Sequence, residues 1–85
     1  MERSEIRRAV EDVFCALMKE RGTPLAAVDL ERSLYDSGYS LDSMDTATLS
    51  AMLGQRFEHD PYTSGAFPQN IAEIVAYYAE RGITE

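Results

Sequence analysis

The sequence predicts an all-α fold, a small four-helix bundle with a long loop between helices one and two and a short third helix. Three segments repeat their apolar residues at steps of three and four, which is the period of an amphipathic helix. The chain of 85 residues has no internal repeat, low-complexity tract or domain boundary. We therefore expect one domain over residues 1–85.

The first segment predicts helix one, from about residue 3 to about residue 21. Its apolar side chains fall on one helical face: Ile6, Val10, Val13, Phe14, Leu17 and Met18. Charged residues such as Glu11 and Lys19 point elsewhere. Gly22 follows three charged residues and is a suitable stop for the helix.

Residues 22–41 have no long periodic pattern, and unstructured loops of that length are uncommon within small domains and often functional. Asp36, Ser37 and Gly38 predict a tight turn in it. The side chains expected to pin the loop to the core are Leu25, Val28, Leu30, Leu34 and Tyr35.

Asp42 predicts the start of helix two, because its carboxylate can accept hydrogen bonds from amides of the following turn. Asp45 stands three residues later and forms an acidic variant of the capping box. Helix two ends near Glu58 and contains Gly54, which weakens it by roughly 1 kcal/mol relative to alanine. Its expected apolar residues are Met44, Ala47, Leu49, Met52, Leu53 and Phe57.

The last third of the chain predicts a short helix and a final helix. Pro61 and Pro68 leave room between them for one or two helical turns. Pro68 suits the first position of the final helix, which Gly82 ends. The buried stripe of that helix is Ile71, Ile74, Val75, Tyr77 and Tyr78.

The net charge of −7 at pH 7 argues against nucleic acid and anionic membrane surfaces as partners and favours basic protein surfaces. The single cysteine, Cys15, permits no internal disulfide and fits a reducing compartment. The start of the chain is no signal peptide, and no apolar run is long enough for a membrane span. We expect a discrete, monomeric cytoplasmic protein.

The residues that commonly carry catalysis are sparse. The only histidine, His59, predicts a solvated loop residue, and Cys15 predicts a small buried hydrophobe. The carboxylates Asp36, Asp42 and Asp45 do not have the ligand spacing of a calcium loop. The sequence therefore gives neither a metal site nor a catalytic residue.

Ser43 directly follows the predicted N-cap, so it opens helix two with its hydroxyl towards solvent. The first turn of a helix carries unpaired amides and about half a positive charge, which favours a bound or attached phosphate. On position alone, an ordinary surface serine in a first helical turn is the more common explanation of Ser43.

The surrounding residues resemble the Gly-x-Asp-Ser-Leu attachment motif of acyl carrier proteins. Gly38 precedes Asp42-Ser43-Met44 after a long first loop, which is the place of this motif in that family. Methionine stands where leucine is commonest, and three residues separate Gly38 from Asp42 where the family usually has one. The likeness covers about residues 5–81 and continues through Leu49, Phe57, Phe67 and Pro68.

The resemblance implies a carrier and not an enzyme. A partner phosphopantetheinyl transferase would attach 4′-phosphopantetheine from coenzyme A to Ser43, and the thiol of that arm would hold an acyl or aminoacyl group as a thioester. Acyl- or aminoacyl-loading and chain-processing enzymes would be the other partners. Helix two shows few acids on its exposed side, which hints at a specialised pathway of the polyketide or nonribosomal peptide type.

Individual roles follow from the same resemblance. Asp42 would shape the helix start and help the transferase to recognise it, and Asp45 would complete the cap or meet a basic partner residue. Met44 is either an apolar docking contact or a core residue. Tyr62 and Phe67 would form a gate beneath which an apolar cargo slips, whereas a polar cargo would stay in solvent.

Two alternatives stay open at this point. The first is an unmodified, small, acidic helical protein–protein interaction module. The second is a small hydrolase, but no histidine lies near Ser43 in the sequence.

Overall fold

A computed structural model describes residues 2–35 and 38–81 of the chain. Within these ranges the structure is all-helical and without strands. Its three helices are α1 (Arg3–Glu20), α2 (Ser43–Phe57) and α3 (Ile71–Glu80). Helices one, two and the final helix of the sequence prediction therefore exist.

The core lies where α1 packs against both α2 and α3. The apolar stripe of α1 supplies Phe14, which is fully buried. Helices α2 and α3 meet through the stacked rings of Phe57 and Tyr78, whose centroids are 4.1 Å apart. The remaining fully buried side chains include Val10, Leu34, Leu49, Leu53, Ile71 and Ile74.

The buried stripe of α2 is narrower than the sequence predicts. It consists of Leu49, Leu53 and Phe57, spaced by four residues, whereas Met44 and Ala47 are exposed. At about 100° per residue, Met44 lies roughly 140° around the helix from Leu49. Its apolar side chain therefore faces away from the core.

The long loop between α1 and α2 is fastened to the start of α3 by backbone hydrogen bonds. Leu34 N donates to Gln69 O at 2.8 Å, and Ala72 N donates to Leu30 O at 3.0 Å. Leu34 is fully buried. The other predicted pins, Leu25, Val28, Leu30 and Tyr35, are partly buried against the core.

The predicted short third helix is not among the helices of the described residues. Residues 61–65 instead form a closed turn, in which Ala66 N donates to Pro61 O at 2.9 Å. Pro61 disfavours a helical backbone at the preceding residue, Asp60, and Gly65 adopts a φ of +91°, outside the helical region. These two residues limit the winding to one turn.

Helix α3 begins three residues later than predicted, because Asn70 and not a proline defines its start. Asn70 Oδ1 accepts a hydrogen bond from Glu73 N at 2.9 Å, and Glu73 Oε1 accepts one from Gln69 N at 2.9 Å. Pro68 is buried before this cap. The predicted stop at Gly82 and the predicted turn residues Asp36 and Ser37 lie outside the described residues.

Of the helices in the described part of the chain, none has both the length and the apolar character that a membrane span requires.

Candidate modification site at the start of the second helix

Ser43 is the first residue of α2, and its side chain is exposed. The preceding Asp42 has an extended backbone (φ −98°, ψ −175°) and is the N-cap. Its Oδ1 accepts a hydrogen bond from Asp45 N at 2.8 Å, and Asp45 Oδ2 accepts one from Asp42 N at 3.2 Å. This reciprocal capping box holds the backbone on both sides of Ser43.

The capping bonds also change the electrostatics of the helix start. The amide of Asp45, with a smaller contribution from the amide of Met44, holds the pKa of the Asp42 carboxyl below its usual value of 3.8. Asp42 is therefore ionised at neutral pH and occupies these amides. A phosphate on Ser43 would face solvent and would not replace the cap.

Arg21 connects this site to the end of α1, a contact that the sequence reasoning missed. Its Nε lies 3.5 Å from Asp45 Oδ2, and its Nη1 donates to Tyr39 O at 3.1 Å. One guanidinium thus joins α1, the loop and α2. Arg21 and Asp45 lie 24 residues apart in the chain, so no local pattern reveals the pair. Asp45 serves within the molecule, both in the cap and in this ion pair.

Gly38 lies in a close backbone approach within the loop before the site. A Cβ built on it would collide with the carbonyl oxygen of Ser33. Tyr39 N donates to Ser33 O at 2.8 Å, and Arg32 Nη2 donates to Gly38 O at 3.0 Å. Only glycine fits at this position without displacing the backbone.

Among the described residues, two large apolar side chains are exposed. Met44 follows Ser43 and exposes 77% of its surface, and Phe67 exposes 70%. The exposure of Met44 excludes core packing, one of its two predicted roles. Phe67 lies against Tyr62 with ring centroids 6.5 Å apart, so the structure brings the two predicted gate residues together.

Three side-chain hydroxyls meet between α2 and the 61–65 turn, and we call Tyr35, Thr46 and Tyr62 the hydroxyl cluster. Tyr35 Oη lies 3.1 Å from Tyr62 Oη and 3.4 Å from Thr46 Oγ1. Thr46 Oγ1 also donates to Asp42 O at 3.0 Å. The sequence predicts a role for Tyr62 but none for Thr46, and it predicts Tyr35 only as a residue that pins the loop to the core.

A shallow groove of about 250 Å³ adjoins the capping box and is lined by Leu17, Glu20, Arg21, Asp45 and Thr48. A second groove of about 320 Å³ lies at the other end of α1, beside Arg3 and Arg7. Since α1 is 18 residues long, these ends are about 27 Å apart. The second groove is therefore not part of this site.

The described residues contain no cluster of three or more histidine, cysteine or acidic side chains that could hold a metal ion. His59 is exposed, as expected for a loop residue. Cys15 is half-buried. Burial is the main cause that raises the pKa of its thiol, and the negative charges of Asp12 and Glu11 raise it further. A thiol with a raised pKa is a poor nucleophile at neutral pH.

No family model matches this chain, and the comparisons with curated proteins and with solved structures also give no match.

Proposed function

We propose that the protein is an acyl carrier whose Ser43 bears a 4′-phosphopantetheine arm. The observation that carries the proposal is the exposed Ser43 hydroxyl at the first position of α2, directly behind the Asp42–Asp45 capping box. The cap fixes the backbone, while the hydroxyl itself stays accessible to a partner enzyme. The residues present therefore fit such a group.

In the attachment step, the Ser43 oxygen forms a bond to the phosphorus of the arm. The diphosphate bond of coenzyme A breaks, adenosine bisphosphate leaves, and a base of the transferase accepts the hydroxyl proton. When attached, the arm supplies a thiol that carries acyl groups. The chain contributes the tether and a docking surface, which raises the effective concentration of an intermediate near each partner.

Met44 is the proposed docking contact for these partners, because it is apolar, exposed and adjacent to Ser43. The 61–65 turn is the proposed counterpart of the short third helix of such carriers. If the cargo is aminoacyl, the partner enzymes are those of nonribosomal peptide synthesis. Polyketide-type enzymes would be the partners for other acyl groups.

Intact mass after incubation with coenzyme A and a broad-specificity transferase tests the proposal. We expect one arm on the wild type and none on Ser43→Ala, whose free energy of unfolding should change by less than about 0.5 kcal/mol. Ser4→Ala is the matched control, because Ser4 is also exposed in the first turn of a helix. It should gain one arm as the wild type does.

The same experiment distinguishes the carrier from the second candidate function, an unmodified helical protein–protein interaction module. The exposed apolar residues Met44 and Phe67 favour it, since they suit a binding surface on any protein. A wild type that gains no mass would support the module. A Ser43→Ala variant that still gains one arm would place the attachment elsewhere.

A further inference from the structure

The hydroxyl cluster can offer either a donor or an acceptor to a ligand. Tyr35 Oη contacts both Tyr62 Oη and Thr46 Oγ1, and Thr46 Oγ1 can donate its proton to Tyr35 Oη or to Asp42 O. If Tyr62 donates to Tyr35, the lone pairs of Tyr62 Oη can accept a hydrogen bond from a ligand. If Tyr35 donates to Tyr62 instead, the Tyr62 proton is available to a carbonyl.

Both tyrosines are half-buried, so their hydroxyls have limited access to water. Burial, together with the hydrogen bond to Tyr35, raises the pKa of Tyr62 far above the physiological range. Tyr62 is therefore a neutral phenol at any working pH. An apolar chain placed among these groups would separate them without replacing their hydrogen bonds, which is unfavourable.

The cluster also lies on the correct side of α2 to meet a group tethered to Ser43. Thr46 follows Ser43 by three residues, so the two lie on the same side of the helix, about one turn apart. The Phe67 ring adjoins Tyr62 and exposes an apolar surface beside the hydroxyls. A short acyl group with an oxygen atom near its thioester fits this combination.

We propose that the hydroxyl cluster makes the carrier selective for acyl groups with a hydroxyl or oxo oxygen close to the thioester. The selectivity rests on the proposed function, because it needs a cargo on Ser43. Tyr62 supplies the hydrogen bond to that oxygen. Tyr35 and Thr46 position the Tyr62 hydroxyl and are not themselves contacts of the cargo.

The test compares two cargoes that differ by one hydroxyl. The transferase loads Ser43 directly from butyryl-coenzyme A or from β-hydroxybutyryl-coenzyme A, and NMR records the chemical shifts of Tyr35, Thr46 and Tyr62. The unloaded arm is the reference. We expect larger shifts at all three residues with β-hydroxybutyryl than with butyryl, because one net hydrogen bond increases the equilibrium constant for docking of the cargo by about 2- to 10-fold.

Tyr62→Phe should abolish the difference between the two cargoes while leaving the mass gain on Ser43 unchanged. Tyr39→Phe is the control, because the Tyr39 hydroxyl accepts from Asp29 N at 2.9 Å, outside the cluster. It should keep the difference.

Three outcomes overturn the selectivity. In the first, the two cargoes give equal shifts at the hydroxyl cluster. In the second, the unloaded arm alone gives the same shifts as the hydroxylated cargo. In the third, the butyryl cargo changes the shifts of buried residues such as Leu53. Each would occur with normal mass gain on Ser43, so the carrier function would stand. Failure of Ser43 to accept any arm would overturn the proposed function and this selectivity together.

Discussion

Met44 exposes an apolar side chain next to Ser43 and makes no contribution to the buried stripe of α2. We predict that Met44→Gln changes the free energy of unfolding by less than about 0.5 kcal/mol, as exposed substitutions usually do. The rate of arm attachment by the transferase should fall, because an apolar docking contact is lost. Thr48→Gln, on an exposed position one turn later, should leave that rate unchanged. Equal rates for all three proteins would remove Met44 from the docking surface.

Gly38 and Gly54 give opposite predictions for the same substitution. Gly38→Ala should destabilise the fold by about 1 to 3 kcal/mol, because its methyl group collides with the Ser33 carbonyl. Gly54→Ala should stabilise it by up to about 1 kcal/mol, because its methyl group meets only Asp60 Oδ2 at 4.0 Å. Urea unfolding of both variants measures this. A tolerated Gly38→Ala would show that the loop can rearrange there.

At the scale of an element, Asp60 fastens the 61–65 turn to α2. Its Oδ1 accepts hydrogen bonds from Ser50 Oγ at 2.8 Å and Thr63 N at 2.9 Å, and its Oδ2 accepts one from Thr63 Oγ1 at 2.6 Å. Tyr78 Oη also donates to His59 O at 2.6 Å, directly before this turn. The turn is therefore anchored at its start, and its exposed part is residues 63–65.

The stability of the fold should decrease in acid because of this anchor. Burial alone raises the pKa of Asp60, but the bonds from Thr63, Ser50 and the Tyr62 amide outweigh it and hold that pKa below 3.8. The pKa in the folded state is thus lower than in the unfolded state. The stabilisation is present above about pH 4 and is lost as the pH falls through the folded-state value.

Asp60→Asn should lower Tm by several degrees at pH 7. As the pH is lowered from 7 into the acid range, the Tm of this variant should fall less than that of the wild type. Glu58→Gln, which changes a nearby exposed carboxylate, is the control and should follow the wild type. Thermal unfolding monitored by circular dichroism at a series of pH values gives both quantities. An Asp60→Asn variant with the acid dependence of the wild type would contradict the assignment.

The elements that the sequence predicts correctly are those with local signals. The period of α1 and the Asp42–Asp45 cap both act within one or two helical turns, so the residues themselves carry the information. The sequence predicts the start of α3 three residues too early, because Pro68 and Asn70 are both acceptable local signals and only tertiary packing buries the proline. The contacts of Arg21 with Asp45 and of Tyr35 with Tyr62 join distant residues, and no single-sequence pattern contains them.

At the scale of the whole molecule, charge should steer partner enzymes towards the part of the chain that contains Ser43. Residues 21–85 carry four basic and ten acidic side chains, a net charge of −6 out of the total of −7. Arg21 already neutralises Asp45, and α2 has no other acidic residue. The attraction is therefore spread over the surface and not concentrated on α2.

We predict that association with a cognate enzyme slows as salt is added, with a shallow dependence. At 0.1 M salt the Debye length is about 10 Å, so charges distant from the contact are screened first. Stopped-flow association rates over a range of salt concentrations measure the slope. A rate that does not depend on salt would contradict electrostatic steering.

The location of the arm within one tryptic peptide tests the central claim most directly. Cleavage after Arg32 and Arg56 releases residues 33–56, which contain Ser43 and the serines at 33, 37, 40 and 50. After incubation with coenzyme A and transferase, tandem mass spectra should assign the whole added mass to Ser43. An arm on any other serine would contradict the assignment to Ser43, and a protein that gains no arm after complete treatment with the transferase would contradict the carrier function.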